Sequence, residues 1–170
     1  MGTIVPRHKM LSFYGVTTTT TDSTTTPPTV TTTTTYHRMK YFTQLSKNKN
    51  PQEYSRKYVD EATQRTDVTG YATQIDYGFD KHRNDPVLTD IVGITNDELL
   101  GADAVRDIID VDVETGIAYK RSYTVSPGSE GDDANIYKYG GSFKANGEQV
   151  KGTATSSDDW QTVTFAAESS

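Results

Sequence analysis

Three carboxylates alternate along one short stretch of the chain: Asp110, Asp112 and Glu114. In an extended strand, alternate residues point to the same side, so these three carboxylates would share one face. Carboxylate oxygens are ligands that Ca²⁺ prefers, but the stretch lacks the twelve-residue loop with a central Gly and a terminal Glu of a known calcium motif. The pattern also fits a strand face that meets solvent or an aqueous channel. The sequence therefore predicts no metal and no cofactor.

Catalytic chemistry has equally little support in the sequence. The three histidines, His8, His37 and His82, are not accompanied by a Ser or an acid in a nucleophile-elbow or triad-like context. The Gly-Gly pair at 140–141 is not followed by the Lys-Ser/Thr of a phosphate-binding loop. The acidic run at 129–135 is typical of a soluble hairpin connection, with a cation-binding loop as the other interpretation. We therefore expect a protein that is not an enzyme, and a hydrolase is the least favoured function.

Charge is unevenly distributed along this acidic chain, whose formal net charge is -6. Residues 36–60 contain six Lys or Arg and two acids, whereas residues 61–114 contain thirteen acids and four bases. An acidic protein does not hold nucleic acid by neutralising its phosphates. Two blocks of opposite sign favour head-to-tail contact between copies, and such contacts close into rings or continue as filaments.

The composition also limits the setting in which the protein works. It has no cysteine, which excludes disulfides, thiolate metal sites and cysteine nucleophiles. No apolar run approaches the ~20 residues that span a bilayer, and no apolar segment follows the N-terminal charges as in a secretory signal peptide. The sequence predicts a soluble protein with no membrane binding by the monomer.

A threonine-rich stretch separates the N-terminus from the rest of the chain. Fourteen of the nineteen residues from Thr17 to Thr35 are threonine, and a Pro-Pro pair interrupts them. Such a segment has few large apolar groups to offset the entropy of ordering, so a flexible arm or loop is the favoured interpretation. The alternative is an ordered β excursion that folds against a neighbouring subunit. We therefore divide the chain into an N-terminal leader and Thr-rich arm, residues 1–35, and a β domain, residues 36–170.

Most of the predicted domain follows the two-residue period of β-strands. Polar and apolar side chains alternate from Tyr36 to Leu45 and from Ala72 to Asp80. One helix is expected at about residues 85–96, because Asp85 is a good N-cap and Pro86 suits the first helical position. Seven or eight strands with a single helix predict a mainly β fold, a sandwich or barrel flanked by that helix.

Asn146 and Gly147 lie between two predicted strands, Ile136 to Ala145 and Gln149 to Thr155. Asn-Gly is the strongest short signal for a two-residue hairpin turn. The sequence therefore predicts that these two strands pair with each other.

Residues 36–166 contain a series of short motifs in a definite order. The motifs are Arg38-Met39-Lys40 with Phe42, Lys49-Asn50-Pro51 through Tyr54-Ser55-Arg56 to Tyr58 and Asp60, Thr66-Asp67-Val68 with Gly70-Tyr71, Tyr77 with Phe79-Asp80, Asp85-Pro86-Val87, Lys120-Arg121-Ser122-Tyr123, Ser129-Glu130-Gly131-Asp132, Gly141 with Phe143-Lys144, Gly147-Glu148, and Gly152 with Ala154-Thr155. No single motif is specific, but the order and spacing of the whole series resemble a family of proteins, the tail tube or major tail proteins of phages that infect Gram-positive bacteria.

The resemblance implies a virion structural protein that is assembled in the host cytoplasm. Its copies would form hexameric rings that stack into a tube, and strands of neighbouring copies would join into a continuous barrel around the lumen. DNA would pass through this lumen transiently and without sequence specificity, and acids facing it would repel the phosphate backbone. The tail tip, tape measure and tail terminator proteins would be further partners.

Two sets of residues are candidates for these roles. The candidates for lumen-facing acids are Asp107, Asp110, Asp112 and Glu114. The resemblance also implies that a long loop, here residues 43–66, and the N-terminal arm bridge to adjacent subunits or rings. The candidate contact residues of the loop are Lys47, Lys49, Glu53, Tyr54, Arg56, Tyr58 and Asp60. The alternative function is a monomeric β-sandwich module for binding or adhesion, with the Thr-rich stretch as its linker.

Overall fold

The computed structural model describes residues 2–131 and 133–169. In this part of the chain the protein is mainly β, with eleven strands and one α-helix, which confirms the predicted fold class. The elements are β1 (Met10–Asp22), β2 (Thr29–Arg38), β3 (Phe42–Asn48), β4 (Pro51–Arg56), β5 (Arg65–Tyr71), β6 (Gln74–Asp80), α1 (Pro86–Asp97), β7 (Val105–Asp112), β8 (Ile117–Gly131), β9 (Lys138–Ala145), β10 (Val150–Thr155) and β11 (Thr162–Ala167).

Nine of these strands form one antiparallel sheet in the order β10-β11-β2-β1-β7-β8-β9-β6-β3. A further pairing between β10 and β8 closes the first six strands into a small barrel. Closure satisfies the backbone groups that an open sheet would leave at its edges. The barrel is filled by an apolar core that includes Phe13, Ile109, Val111, Ala118 and Val163.

The other face of the same strands covers a second and larger core. On β1, Phe13 belongs to the barrel core and the next residue, Tyr14, belongs to the second one. Ile109 and Ile108 of β7 divide in the same way, because successive side chains of a strand point to opposite faces. Strands β9, β6 and β3 continue the sheet around this second core, where Phe143 stacks against Tyr77 at 4.5 Å between ring centroids. The two cores share β1, β7 and β8 as a common wall.

Helix α1 closes one end of the second core. Its start agrees with the sequence signal: the Asp85 carboxylate accepts hydrogen bonds from the backbone N–H groups of Val87 and Leu88, at 3.0 and 3.1 Å. These bonds satisfy two of the donors that a helix leaves free at its first turn. The apolar face, which includes Leu88, Ile91 and Ile94, is buried. Among the described residues, no helix is long and apolar enough to cross a membrane.

The favoured interpretation of residues 17–35 as a flexible arm was wrong, because the segment is ordered as β-strands. That it folds against a neighbouring subunit stays a prediction. The segment forms most of a β-hairpin in which β1 and β2 pair from Phe13 with Arg38 to Asp22 with Thr29. The Pro-Pro pair falls in the turn between the two strands, where it interrupts no ladder. Threonine is β-branched and suits an extended backbone even without a core beneath it. The position of a domain boundary at residue 35 stays a prediction.

Two strand predictions needed correction, each for a tertiary reason. The stretch from Tyr36 to Leu45 is not one strand, since the chain leaves β2 after Arg38 and enters β3 at Phe42. Tyr41 has φ 65° in this link. Asn146 and Gly147 do not join a hairpin, because β9 and β10 pair with different parts of the long strand β8. Strand pairing of β9 and β10 with β8 therefore outweighed the local preference of Asn-Gly for a hairpin turn.

Candidate functional site: two protruding hairpins

The outer part of the β1–β2 hairpin, which we call the threonine ribbon, comprises Thr17–Asp22 and Thr29–Thr34. β7 pairs with β1 only up to Tyr14, and β11 pairs with β2 only at Tyr36 and His37. The strands of the ribbon are therefore paired with each other alone, and both of its outer edges are open. All its side chains are exposed. Cross-strand hydroxyls contact each other, as in Thr17 with Thr34 at 2.8 Å between oxygen atoms.

The open edges of the threonine ribbon lack the usual protection against strand pairing. Natural edge strands are commonly blocked by Lys, Pro or a bulge. Within Thr17–Thr34 the only charged residue is Asp22, beside the turn, and the prolines lie in the turn. The ladder between the strands runs without a register shift. An isolated two-stranded hairpin is marginally stable in water, so a ribbon with this composition gains most from another strand at its edge.

A second ribbon extends from the end of the sheet that β6 and β3 form. β4 and β5 form a separate two-stranded sheet that prolongs the β3–β6 ladder beyond Asn50 and Ala72. The prediction of a long loop at 43–66 was therefore wrong, because most of this segment is β3, β4 and the tip of this ribbon. The side chains of β4 are exposed throughout, and the Arg56 and Arg65 guanidinium groups lie over the Tyr58 ring.

The predicted contact residues are spread along this hairpin. Lys47 lies on β3, and Lys49 lies in the link that follows it. Glu53, Tyr54 and Arg56 lie on β4, and Tyr58 and Asp60 lie in the tip between β4 and β5. The structure thus brings five of the seven together on one exposed ribbon. Their contact with another subunit stays a prediction.

The four acids proposed for a lumen do not share one face. Asp107 is on the side of β7 that carries Ile109 of the barrel core, where it accepts a hydrogen bond from Ser122 at 2.5 Å. Asp110 and Asp112 are on the opposite side of the strand, because they differ from Asp107 by an odd number of residues. Glu114 lies beyond the strand, and its backbone N–H donates to the Asp112 carboxylate at 3.1 Å. Which acids face a lumen stays a prediction.

Asp110 is engaged within the subunit. Its carboxylate accepts a hydrogen bond from the Ser12 hydroxyl at 2.8 Å and forms an ion pair with Lys47, each side chain being about three quarters buried. The sequence predicted Lys47 for a contact between rings and Asp110 for the lumen. In the structure these two residues instead contact each other within one subunit. A substitution of Asp110 by Lys would therefore disturb the fold as well as any lumen charge.

We expect Asp110→Asn to lower the free energy of unfolding by about 1 kcal/mol, since a charge-assisted bond to a largely buried lysine is lost. Asp112→Asn is the matched control and should change it by less than about 0.5 kcal/mol, because the side-chain oxygen that accepts the Glu114 N–H is retained. Urea unfolding followed by circular dichroism measures both values. Equal values for the two variants would contradict a structural role of the Lys47–Asp110 pair.

A second, partly buried ion pair fastens α1 to the sheet. Arg106 of β7 donates to both carboxylate oxygens of Asp90, at 2.8 and 3.2 Å, and the Tyr14 hydroxyl donates to the same carboxylate at 2.5 Å. Burial, followed by the charge of Asp90, holds the pKa of Tyr14 well above its ordinary value. No sequence signal predicted this group, because its members are distant in the chain and none belongs to a local motif.

The histidines and carboxylates show no arrangement suited to catalysis in the described part of the chain. The His82 ring stacks on Tyr41 at 3.8 Å, and its Nδ1 lies 2.8 Å from the backbone oxygen of Asp80. Over residues 2–131 and 133–169, no group of three His, Asp or Glu side chains could hold a metal ion. That the protein is not an enzyme stays a prediction.

Comparison with known proteins gives little further guidance. No protein-family model matches the chain, and no curated protein matches it by sequence. Among solved structures, one chain of the anti-feeding prophage baseplate, determined by cryo-electron microscopy with 6-fold symmetry, is similar at a TM-score of 0.44 and 6% identity. The alignment covers 89% of this chain and 97% of that chain. At this TM-score the similarity carries no weight for fold or function.

Proposed function

We propose that the protein is a structural subunit of a phage tail tube, whose copies form hexameric rings that stack around a channel for DNA during ejection. The observation that carries this proposal is the threonine ribbon, a continuation of the closed barrel with two open and unprotected β edges. Pairing of ribbons between neighbouring copies would satisfy these edges and extend one sheet around a ring. The series of tail tube motifs over residues 36–166 agrees with the same assignment.

A tail tube subunit would work in the virion, after assembly in the host cytoplasm. Its other partners would be the tail tip, tape measure and tail terminator proteins, and DNA would pass through without being bound. The monomeric adhesion module with a Thr-rich linker is less well supported. Both strands of the Thr-rich hairpin return to the same domain, so this stretch does not link two bodies.

Negative-stain electron microscopy of the purified protein tests the proposal. We expect rings or hollow tubes whose abundance rises with protein concentration, and light scattering should give the mass of a hexamer or of a multiple of it. Particles that remain monomeric at the highest soluble concentration, also after addition of a tail initiator complex, would overturn the proposal in favour of a monomeric binding module.

A further inference from the structure

A cluster of cations lies at the end of the second core that is remote from α1. Lys47 of β3 reaches Asp110 of β7, and Tyr123 of β8 is also near Lys47. Arg121 lies on β8 opposite Ile108, which places it diagonally from Asp110 on the same face of the sheet. Lys49 follows directly in the link between β3 and β4. Three cations thus gather around one carboxylate.

The anionic groups of the described chain do not balance this cluster. Asp110 is engaged by Lys47, and no ion pair of the described residues includes Lys49 or Arg121. The Arg121 Nε is buried and has no hydrogen-bond partner in that part of the chain. Partial desolvation, and then the charges of Lys47 and Arg121, hold the pKa of Lys49 below its ordinary value. A buried donor without a partner costs free energy, so the cluster is suited to receive a further carboxylate.

Unpaired carboxylates occur at the opposite end of the same core. Asp97 is the last residue of α1 and Glu98 is its C-cap, and both side chains are exposed. Negative charge at a helix C-terminus is unfavourable, because the helix dipole already places partial negative charge there. The ion pairs of the described residues include neither of these acids. A cation from outside the subunit would therefore stabilise them.

The spacing along β8 shows that the two groups lie at different places on the sheet. Glu98 lines a surface cavity together with Pro127 of β8. Arg121 of the cationic cluster is six residues earlier on the same strand, a separation of about 20 Å along an extended backbone. The acidic helix end and the cationic cluster are therefore too far apart for direct contact in one copy, but they can meet between copies arranged head to tail.

We propose that Lys49 and Arg121 of one copy bind Asp97 and Glu98 of the next copy, so that the cationic cluster and the helix end form a head-to-tail contact. This inference rests on the proposed function, because it requires self-assembly. The sequence predicted a head-to-tail contact between two broad blocks of opposite charge, and this inference assigns that contact to four side chains. The contact is heterologous, and repetition of it produces a closed ring or a continuing stack.

A charge-exchange experiment tests the contact. One variant carries Lys49→Glu and Arg121→Glu, and the other carries Asp97→Lys and Glu98→Lys. Each variant alone should assemble at least about tenfold less than the wild type, because like charges then meet at every contact. An equimolar mixture should recover assembly, since each copy then meets a neighbour of opposite charge on both sides. Sedimentation and negative-stain microscopy at ~0.15 M salt measure the assembled fraction.

The controls separate this inference from the proposed function. Lys144→Glu and Glu148→Lys change exposed charges outside both groups and should assemble like the wild type. Because Arg121→Glu alters a partly buried site, the single variants Lys49→Glu and Asp97→Lys, mixed in the same way, repeat the test on exposed positions. If the wild type assembles and the exchanged variants do so equally well, or if the mixtures do not recover, the contact is wrong and the tube subunit stands. A monomeric wild type overturns both.

Discussion

Replacement of residues 18–33 by Asn-Gly should abolish assembly while leaving the domain folded. Thr17 and Thr34 are directly paired across the hairpin, so a two-residue Asn-Gly turn can join them without altering the register of β1 and β2. The deleted residues lie beyond the strands that pair with β7 and β11, and none of them is buried. We expect the free energy of unfolding to change by less than about 1 kcal/mol, because no core contact is removed.

The effect on assembly should be much larger than the effect on stability. If neighbouring copies pair through the open edges of the threonine ribbon, the shortened variant has no strand to offer, and rings should be absent in negative-stain images. The matched control replaces only residues 23–28, the turn, by Asn-Gly between the paired residues Asp22 and Thr29. This control keeps both edges and should assemble like the wild type. Rings of normal size from the shortened variant would show that the copies meet through another surface.

Phe13→Ala should destabilise the protein by about 3–5 kcal/mol, the cost of truncating a fully buried phenylalanine. Phe13 has no exposed surface, belongs to the barrel core and lies 6.4 Å from the Trp160 ring centroid. The loss would be a large share of the 5–15 kcal/mol that stabilises a typical domain. Chemical unfolding monitored by tryptophan fluorescence is suited to this measurement, because Trp160 is the only tryptophan.

The control for this substitution is Val30→Ala in the threonine ribbon. Val30 is 61% exposed, and its truncation should change the free energy of unfolding by less than about 0.5 kcal/mol. The difference in unfolding free energy between the two variants also tests the predicted domain boundary at residue 35. If Phe13→Ala were as mild as Val30→Ala, residues 1–35 would behave as an appendage, as the sequence suggested. A large difference would place the first strand within the folded domain.

Local sequence patterns predicted the elements whose stability depends on neighbours in the chain. Asp85 and Pro86 placed the start of the helix within one residue, because capping depends on the first turn alone. The alternation from Ala72 to Asp80 identified β6, in which Ile75, Tyr77 and Phe79 form the buried face. The mainly β character and the single helix followed from the same two periods, 2 and 3.6 residues.

Local sequence patterns gave wrong predictions where pairing with a strand distant in the chain determined the structure. The threonine stretch has no apolar face of its own, and it is ordered because β1 and β2 are held at their base by β7 and β11. The Asn-Gly pair did not form a hairpin because β8 accepts β9 and β10 along different parts of its length. In both cases the free energy of a ladder formed elsewhere exceeded the local preference.

By itself, the sequence determined a cysteine-free, mainly β chain with one capped helix and with charge in opposite blocks. Only the tertiary structure decided which residues meet. It closed a barrel through the β10–β8 ladder, separated Asp107 from Asp110 on opposite faces of β7, and brought Lys47 to Asp110. The physical reason is that composition and periodicity report the surroundings of one strand or helix, whereas closure and ion pairing depend on the relative placement of elements far apart in the chain.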